Sequence, residues 1–155
     1  MTPNPVHWHL LLNHIPILGT ALFAPFVLAW GMARRSRDVI HTGFVLAAVL
    51  AVLTIPVYLS GEPAEEQVES ASWYNAPRAE VHEERAEAAL IVELVTGGLA
   101  ILGLWLSRGG RPVRPATSWA VLFSLIVAAV LFGFTAAAGG QIRHDEIRSS
   151  QAAPS

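Results

Sequence analysis

Four long apolar runs divide the chain: Leu10–Met32, Val39–Ser60, Ala86–Leu106 and Trp119–Ala138. Each is close to the ~20 residues a helix needs to cross the hydrocarbon core of a bilayer. Antiparallel neighbours are expected, because the connections at the two Arg-bearing turns are short. The pattern therefore predicts an all-α, integral membrane, antiparallel four-helix bundle forming a single domain over residues 1–155. An acidic loop is expected over 61–85 and a frayed tail over 147–155, where the sequence turns small and polar. Met1–Val6 carries no Lys or Arg, and the first run is longer than a leader's apolar core, so it reads as a span. Asp38 is placed to cap the second span and Thr117 or Ser118 the fourth. Pro16, Pro25 and Pro56 each remove a backbone donor within a span and predict kinks.

Charge sets the orientation. The first and second spans are joined by "ARRSRD", with Arg34, Arg35 and Arg37, and the third and fourth by "SRGGRPVRP", with Arg108, Arg111 and Arg114. The segment between the second and third spans is mostly acidic. By the positive-inside rule the arginine turns are cytoplasmic. Both termini and the acidic segment are then expected outside, on the periplasmic side of a bacterial inner membrane. Trp8, Trp30, Trp73, Trp105 and Trp119 all fall near span ends, where the bilayer interface favours tryptophan.

Composition narrows the chemistry. Charged residues make up 14% of the chain, against about 25% in soluble domains, and this deficit points to lipid as part of the solvent. The net charge of −2 gives no basic field for nucleic acid. There is no cysteine, which excludes disulfides, thiolate metal sites and Cys-x-x-Cys-His haem attachment. "HEERA" lacks the second His of HExxH, and neither a P-loop nor a GxGxxG is present, so the chain carries no sign of being an enzyme by itself.

The polar residues of the apolar half are unevenly placed. Five of the six histidines, His7, His9, His14, His82 and His144, lie at the end opposite the arginine turns, with most of the acids, including Glu62 and Glu87. His7 and His14 are seven apart and share a helix face, while His9 falls off it and is expected to meet headgroups or water. His82 and Glu93 are eleven apart and share a face with Ala86, Ala89, Gly97 and Ala100. His14 lies twenty residues from Arg34, roughly 30 Å along a helix, and Glu87 is at nearly the same level. Glu93 is deeper, about 22 Å from Arg108. A carboxylate at that depth costs at least ~2.5 kcal/mol in lipid and is expected to face the interior, as a proton relay or a charge-tuning group.

Two readings follow for the histidines. In one they are polar residues at helix ends. In the other His14 and His82 hold haem b, with Arg78, Arg85 or Arg143 near the propionates. The many acids suit a bare transition-metal ion instead, with His7, His14, His82, His144, Glu62 and Glu87 as candidate ligands.

A weak repeat sets "SGEPAEE" at the end of the second span against "GGQIRHDE" at the end of the fourth, matching Ser60 with Gly139 and Gly61 with Gly140. It suggests a duplicated helical hairpin with His14 and His82 at related positions. The pieces "NHIPILG", "SGEPAEE" and "HEERAEAAL" resemble an uncharacterised family of predicted bacterial four-helix inner-membrane proteins. In that family a His precedes a Pro-containing first helix, a Gly closes the second and a His opens the third; the matching positions are His14, Pro16, Gly61 and His82. Relatives sometimes occur joined to or beside c-type cytochrome modules, which implies a redox role at the outer face. The chain departs from the family in its more acidic second connection and in His7 and His9.

The leading expectation is a small membrane electron-transfer protein binding haem b or a transition metal, with a quinol, a c-type cytochrome or a larger respiratory complex as partner. The alternatives are a cofactor-free accessory subunit and a metal-handling or transport protein. The cysteine-free chain makes the topology testable. In intact cells a membrane-impermeant maleimide is expected to label Ser72→Cys but to reach Arg111→Cys only after permeabilisation. The reverse pattern would invert the orientation.

Overall fold

The computed structural model describes residues 4–144. The elements are α1 (Pro5–Leu18), a π-helical turn (Gly19–Phe23), α2 (Ala24–Arg34), α3 (Arg37–Leu59), α4 (Gly61–Val68), α5 (Ala76–Leu106) and α6 (Pro115–Arg143). Four continuous helical segments, Pro5–Arg34, Arg37–Val68, Ala76–Leu106 and Pro115–Arg143, are long and apolar enough to cross a membrane. The chain is a multi-pass membrane four-helix bundle. The tail expected to fray, over 147–155, lies outside the described residues.

The helices extend beyond the apolar runs because their caps lie in polar sequence. Asn4 accepts from the His7 amide, Ser36 from the Val39 amide and Asn75 from the Arg78 amide. Ser36, not Asp38, is therefore the cap of the second span, and Asp38 occupies its first turn. The fourth span starts before Thr117 and Ser118: Arg114 is the boundary residue, and Pro115 opens the helix, where its missing N–H costs no bond. The segment 61–85 is mostly helical, since α4 follows α3 directly and α5 starts at Ala76; only 69–75 connects them.

The first span is bent in a specific way. The Ala24 amide bonds to the Gly19 carbonyl, one residue farther back than in an α-helix. Pro25 has no amide to offer the Ala21 carbonyl. The carbonyls of Thr20 and Ala21 thus lack the i+4 donors that an α-helix would give them. The insertion turns Thr20 inward, fully buried.

Going round the bundle, α2 packs on α3, α3 on α5, α5 on α6, and α6 returns to α2 and the π turn. The first and third spans run parallel and face each other across the diagonal. At the arginine end the interior is filled by Leu28, Ile40, Phe44, Val121 and Leu125. Here Arg37 donates to the Ser107 carbonyl at 2.6 Å. The Ser107 hydroxyl donates to the Gly103 carbonyl and so accepts from His41 Nε2, at 2.8 Å. Arg34 and Arg108 cover the rings of Trp30 and Trp105. Outward-facing Phe26 and Phe123 are about two-thirds exposed, at 70% and 69%, as lipid-facing side chains should be.

Helix approach is closest where glycine allows it. A Cβ on Gly97 would lie 2.5 Å from the Cβ of Ala51, whereas Gly98 on the same turn has nothing within 4 Å. Gly97→Ala is expected to destabilise the detergent-solubilised bundle by about 1–3 kcal/mol, and Gly98→Ala by less than about 0.5 kcal/mol. Denaturant unfolding followed by circular dichroism measures both. Equal effects would contradict this packing.

Candidate functional site

Beyond the arginine end the interior changes character. Its buried residues become small, among them Pro16, Gly19, Ala64, Ala79, Ala89 and Ala138, and polar groups enter. Glu93 on α5 is fully buried. The Thr20 hydroxyl donates to its Oε1 at 2.9 Å across the diagonal. Its Oε2 is buried and has no hydrogen-bond partner among the described residues. The expectation that Glu93 faces the interior is met, and the π turn supplies its one partner.

The same register recurs nearer the histidine end. Thr20 and Glu93 are 73 residues apart, as are His9 and His82. On parallel helices an equal offset means an equal level, about 16 Å farther along the bundle. Asn13 lies on the stripe of α1 between His9 and Thr20, and its Oδ1 is buried without a partner among the described residues.

Both imidazoles are anchored through Nδ1. The Ser60 hydroxyl donates to the Val57 carbonyl at 2.7 Å, so it accepts from His9 Nδ1–H at 2.9 Å. His82 Nδ1–H donates to the Thr135 carbonyl at 2.9 Å. A neutral ring that spends its proton at Nδ1 has its lone pair at Nε2. Glycine makes room for His82, since a Cβ on Gly139 would lie 3.1 Å from its Cε1, while a Cβ on Gly61 would lie in ordinary contact, 3.8 Å, with His9 Cε1. The two histidines thus sit at the ends of the second and fourth spans, His9 against Ser60 and His82 against Gly139, whereas the repeat relates His82 to His14.

His14 is placed differently from the expectation. It is exposed, and its Nδ1 donates to the Leu10 carbonyl of its own helix at 2.6 Å. It borders two open grooves of ≈ 400 and ≈ 380 Å³, one with His7, Leu10 and Leu11 and the other running to Phe23, Leu46 and Leu50. These are outer surfaces of the first and second spans, so the structure does not bring His14 to His82. The reason is helical phase. The buried stripe of the first span is fixed by Pro16 and Thr20; His9 is seven residues before Pro16 and lies on it, while His14 is two before and lies off it. His9, expected in water or among headgroups, is half-buried instead.

The remaining candidates are dispersed. His7, Glu62, Glu87 and His144 are exposed. Among the described residues no three His, Cys, Asp or Glu side chains converge as a metal cluster would require. Cations do gather at this end: Arg78 donates to Gln141 Oε1 at 2.8 Å, Arg85 to the Phe134 carbonyl at 3.1 Å, and Arg143 lies over Trp73.

No protein family, curated protein or solved structure matches the chain. The reading of the site rests on its own geometry.

In the connection beyond α4, the Tyr74 hydroxyl donates to Glu65. Desolvation, then the bond and charge of Glu65, push the phenol up to about 12 from its ordinary 10.0. A raised value means that the contact stabilises the fold fully below pH 10 and is lost as pH rises through about 12. Ultraviolet titration should show a tyrosinate transition near 12 that vanishes in Tyr74→Phe and moves toward 10 in Glu65→Gln. An unmoved transition in Glu65→Gln would contradict the pairing.

Proposed function

We propose that this protein is a small electron-transfer protein of the bacterial inner membrane that holds haem b between His9 and His82, near the periplasmic face. One observation carries the reading: two imidazoles on opposite helices, at one level, each anchored through Nδ1 and presenting an Nε2 lone pair. A ring N–H tied to a carbonyl or hydroxyl is the usual support of a metal-bound histidine. Two such donors suit haem iron, whose macrocycle brings four nitrogens of its own. A bare ion normally needs three or four protein ligands, and among the described residues no group of three or more His, Cys, Asp or Glu side chains converges.

Haem would supply reversible one-electron chemistry. His9 and His82 would hold the haem iron through Nε2, and Arg78, Arg85 and Arg143 would offset the propionate charge. The small buried residues between the histidines leave the interior adaptable to a flat group. The periplasmic position follows from the positive-inside rule, and it favours a quinol or a c-type cytochrome as electron partner.

The absorption spectrum and iron content of the membrane-extracted protein test this. A Soret band with stoichiometric iron is expected, lost in His9→Ala and His82→Ala and kept in His14→Ala. Stoichiometric metal without a Soret band would replace haem with a bare ion. Loss in His14→Ala with retention in His9→Ala would overturn the ligand pair, and absence of both colour and metal would overturn the redox reading.

A further inference from the structure

Glu93 is the only acid in the membrane-embedded stretches 10–33, 42–57, 88–106 and 115–142. The third span holds no other titratable side chain over 90–106, α3 holds none over 42–57 and α6 none over 115–142. The first span contributes only His14 over 10–33, and that ring is on the outer surface. The imidazoles that face Glu93 along the axis are His9 and His82, about 16 Å away. Among the described residues nothing neutralises this carboxyl by ion pairing. A group in this position, in a medium where each unsatisfied polar atom costs several kcal/mol, could have been any apolar residue if its role were packing alone.

Three features make the surroundings of Glu93 suited to a proton. Oε2 is buried and has no partner among the described residues. The π turn opposite redirects the Ala24 amide from the Thr20 carbonyl to that of Gly19. Thr20 supplies one hydroxyl bond, to Oε1. This single donor can steady the carboxylate when the proton leaves, and the Thr20 carbonyl, which the Ala24 amide no longer serves, can accept from a water that carries it.

Access is one-sided. Toward the arginine end the next interior layers are Leu28, Phe44, Val121 and Leu125, all fully buried. The nearest hydroxyls on that side are closed off: Thr96 donates to the Val92 carbonyl at 2.8 Å and meets Ser124 at 2.5 Å. Toward the histidine end the stripe from Glu93 runs past Pro16 and Ala89 to Asn13 Oδ1, which has no partner among the described residues, then to the His9 and His82 level.

We infer that Glu93 is an exchangeable proton-binding site inside the membrane, reached by water from the histidine-bearing end and sealed from the arginine end. On release the O–H bond of the carboxyl breaks. The proton passes to water, moves past Asn13 and enters the aqueous phase at that end, while the carboxylate keeps the Thr20 bond. Uptake is the reverse. The site needs no bound cofactor, so it stands apart from the haem reading.

Infrared difference spectroscopy of the full-length protein in right-side-out vesicles tests it. With the inner pH clamped, a protonated-carboxyl C=O band is expected to bleach as the outer pH is raised. The band should be absent in Glu93→Gln, which keeps an acceptor for Thr20, and should shift in frequency in Thr20→Val. Asn13→Leu should slow the bleaching several-fold. A band that follows the inner pH, a band that persists at every outer pH, or no difference between wild type and Glu93→Gln would each overturn the inference.

Discussion

The Thr20 hydroxyl donates to Glu93 across the diagonal of the bundle, and much of the architecture follows from the need to make that bond. A buried carboxyl in a bilayer requires a donor, and the facing helix is too far across the diagonal for backbone contact. The donor is delivered by the π turn, which turns Thr20 inward by moving the Ala24 amide from the Thr20 carbonyl to that of Gly19. Pro25 makes that exchange cheap, because it has no amide to lose. The bond also fixes the register of the first and third spans, and the same register sets His9 level with His82.

The bundle is consequently built in two halves with different physics. At the arginine end, large apolar side chains interlock, glycines bring backbones close, and Ser107 ties Arg37 and His41 to the end of α5. This half is tightly packed and closed. At the histidine end, small residues surround polar groups, of which Asn13 Oδ1 and Glu93 Oε2 lack partners among the described residues. Any chemistry or ligand binding finds its groups there, and the apolar half keeps the two sides of the membrane separate.

The spans were legible because a run of about twenty apolar residues matches the thickness of a bilayer core, far more than a strand or a buried loop needs. Glu93 was legible as an interior group because a carboxyl at its depth cannot face lipid cheaply, and its eleven-residue spacing from His82 puts both on a small-residue face. His9 was not. The His7–His14 spacing marks the lipid-facing side of the first span; the inward stripe is marked by Pro16 and Thr20, residues that look like packing devices in sequence. The eleven-residue spacing of His9 and Thr20, equal to that of His82 and Glu93, was the available signal. Ser36 and Pro115 as helix starts were obscured because stronger-looking caps lay a residue or two inside. The π turn needed the structure, since the sequence marks a missing donor at Pro25 but not how the helix repairs it.

The central claim is that Thr20 and Glu93 act as one unit, and a double-mutant cycle on unfolding stability tests it most directly. Thr20→Val alone should cost about 1–3 kcal/mol, because it leaves the carboxyl with no partner at all. Combining it with Glu93→Leu should recover most of that loss, since both ends of the bond are then apolar. If the two substitutions instead add independently, the bond is not the constraint on which the bundle is organised.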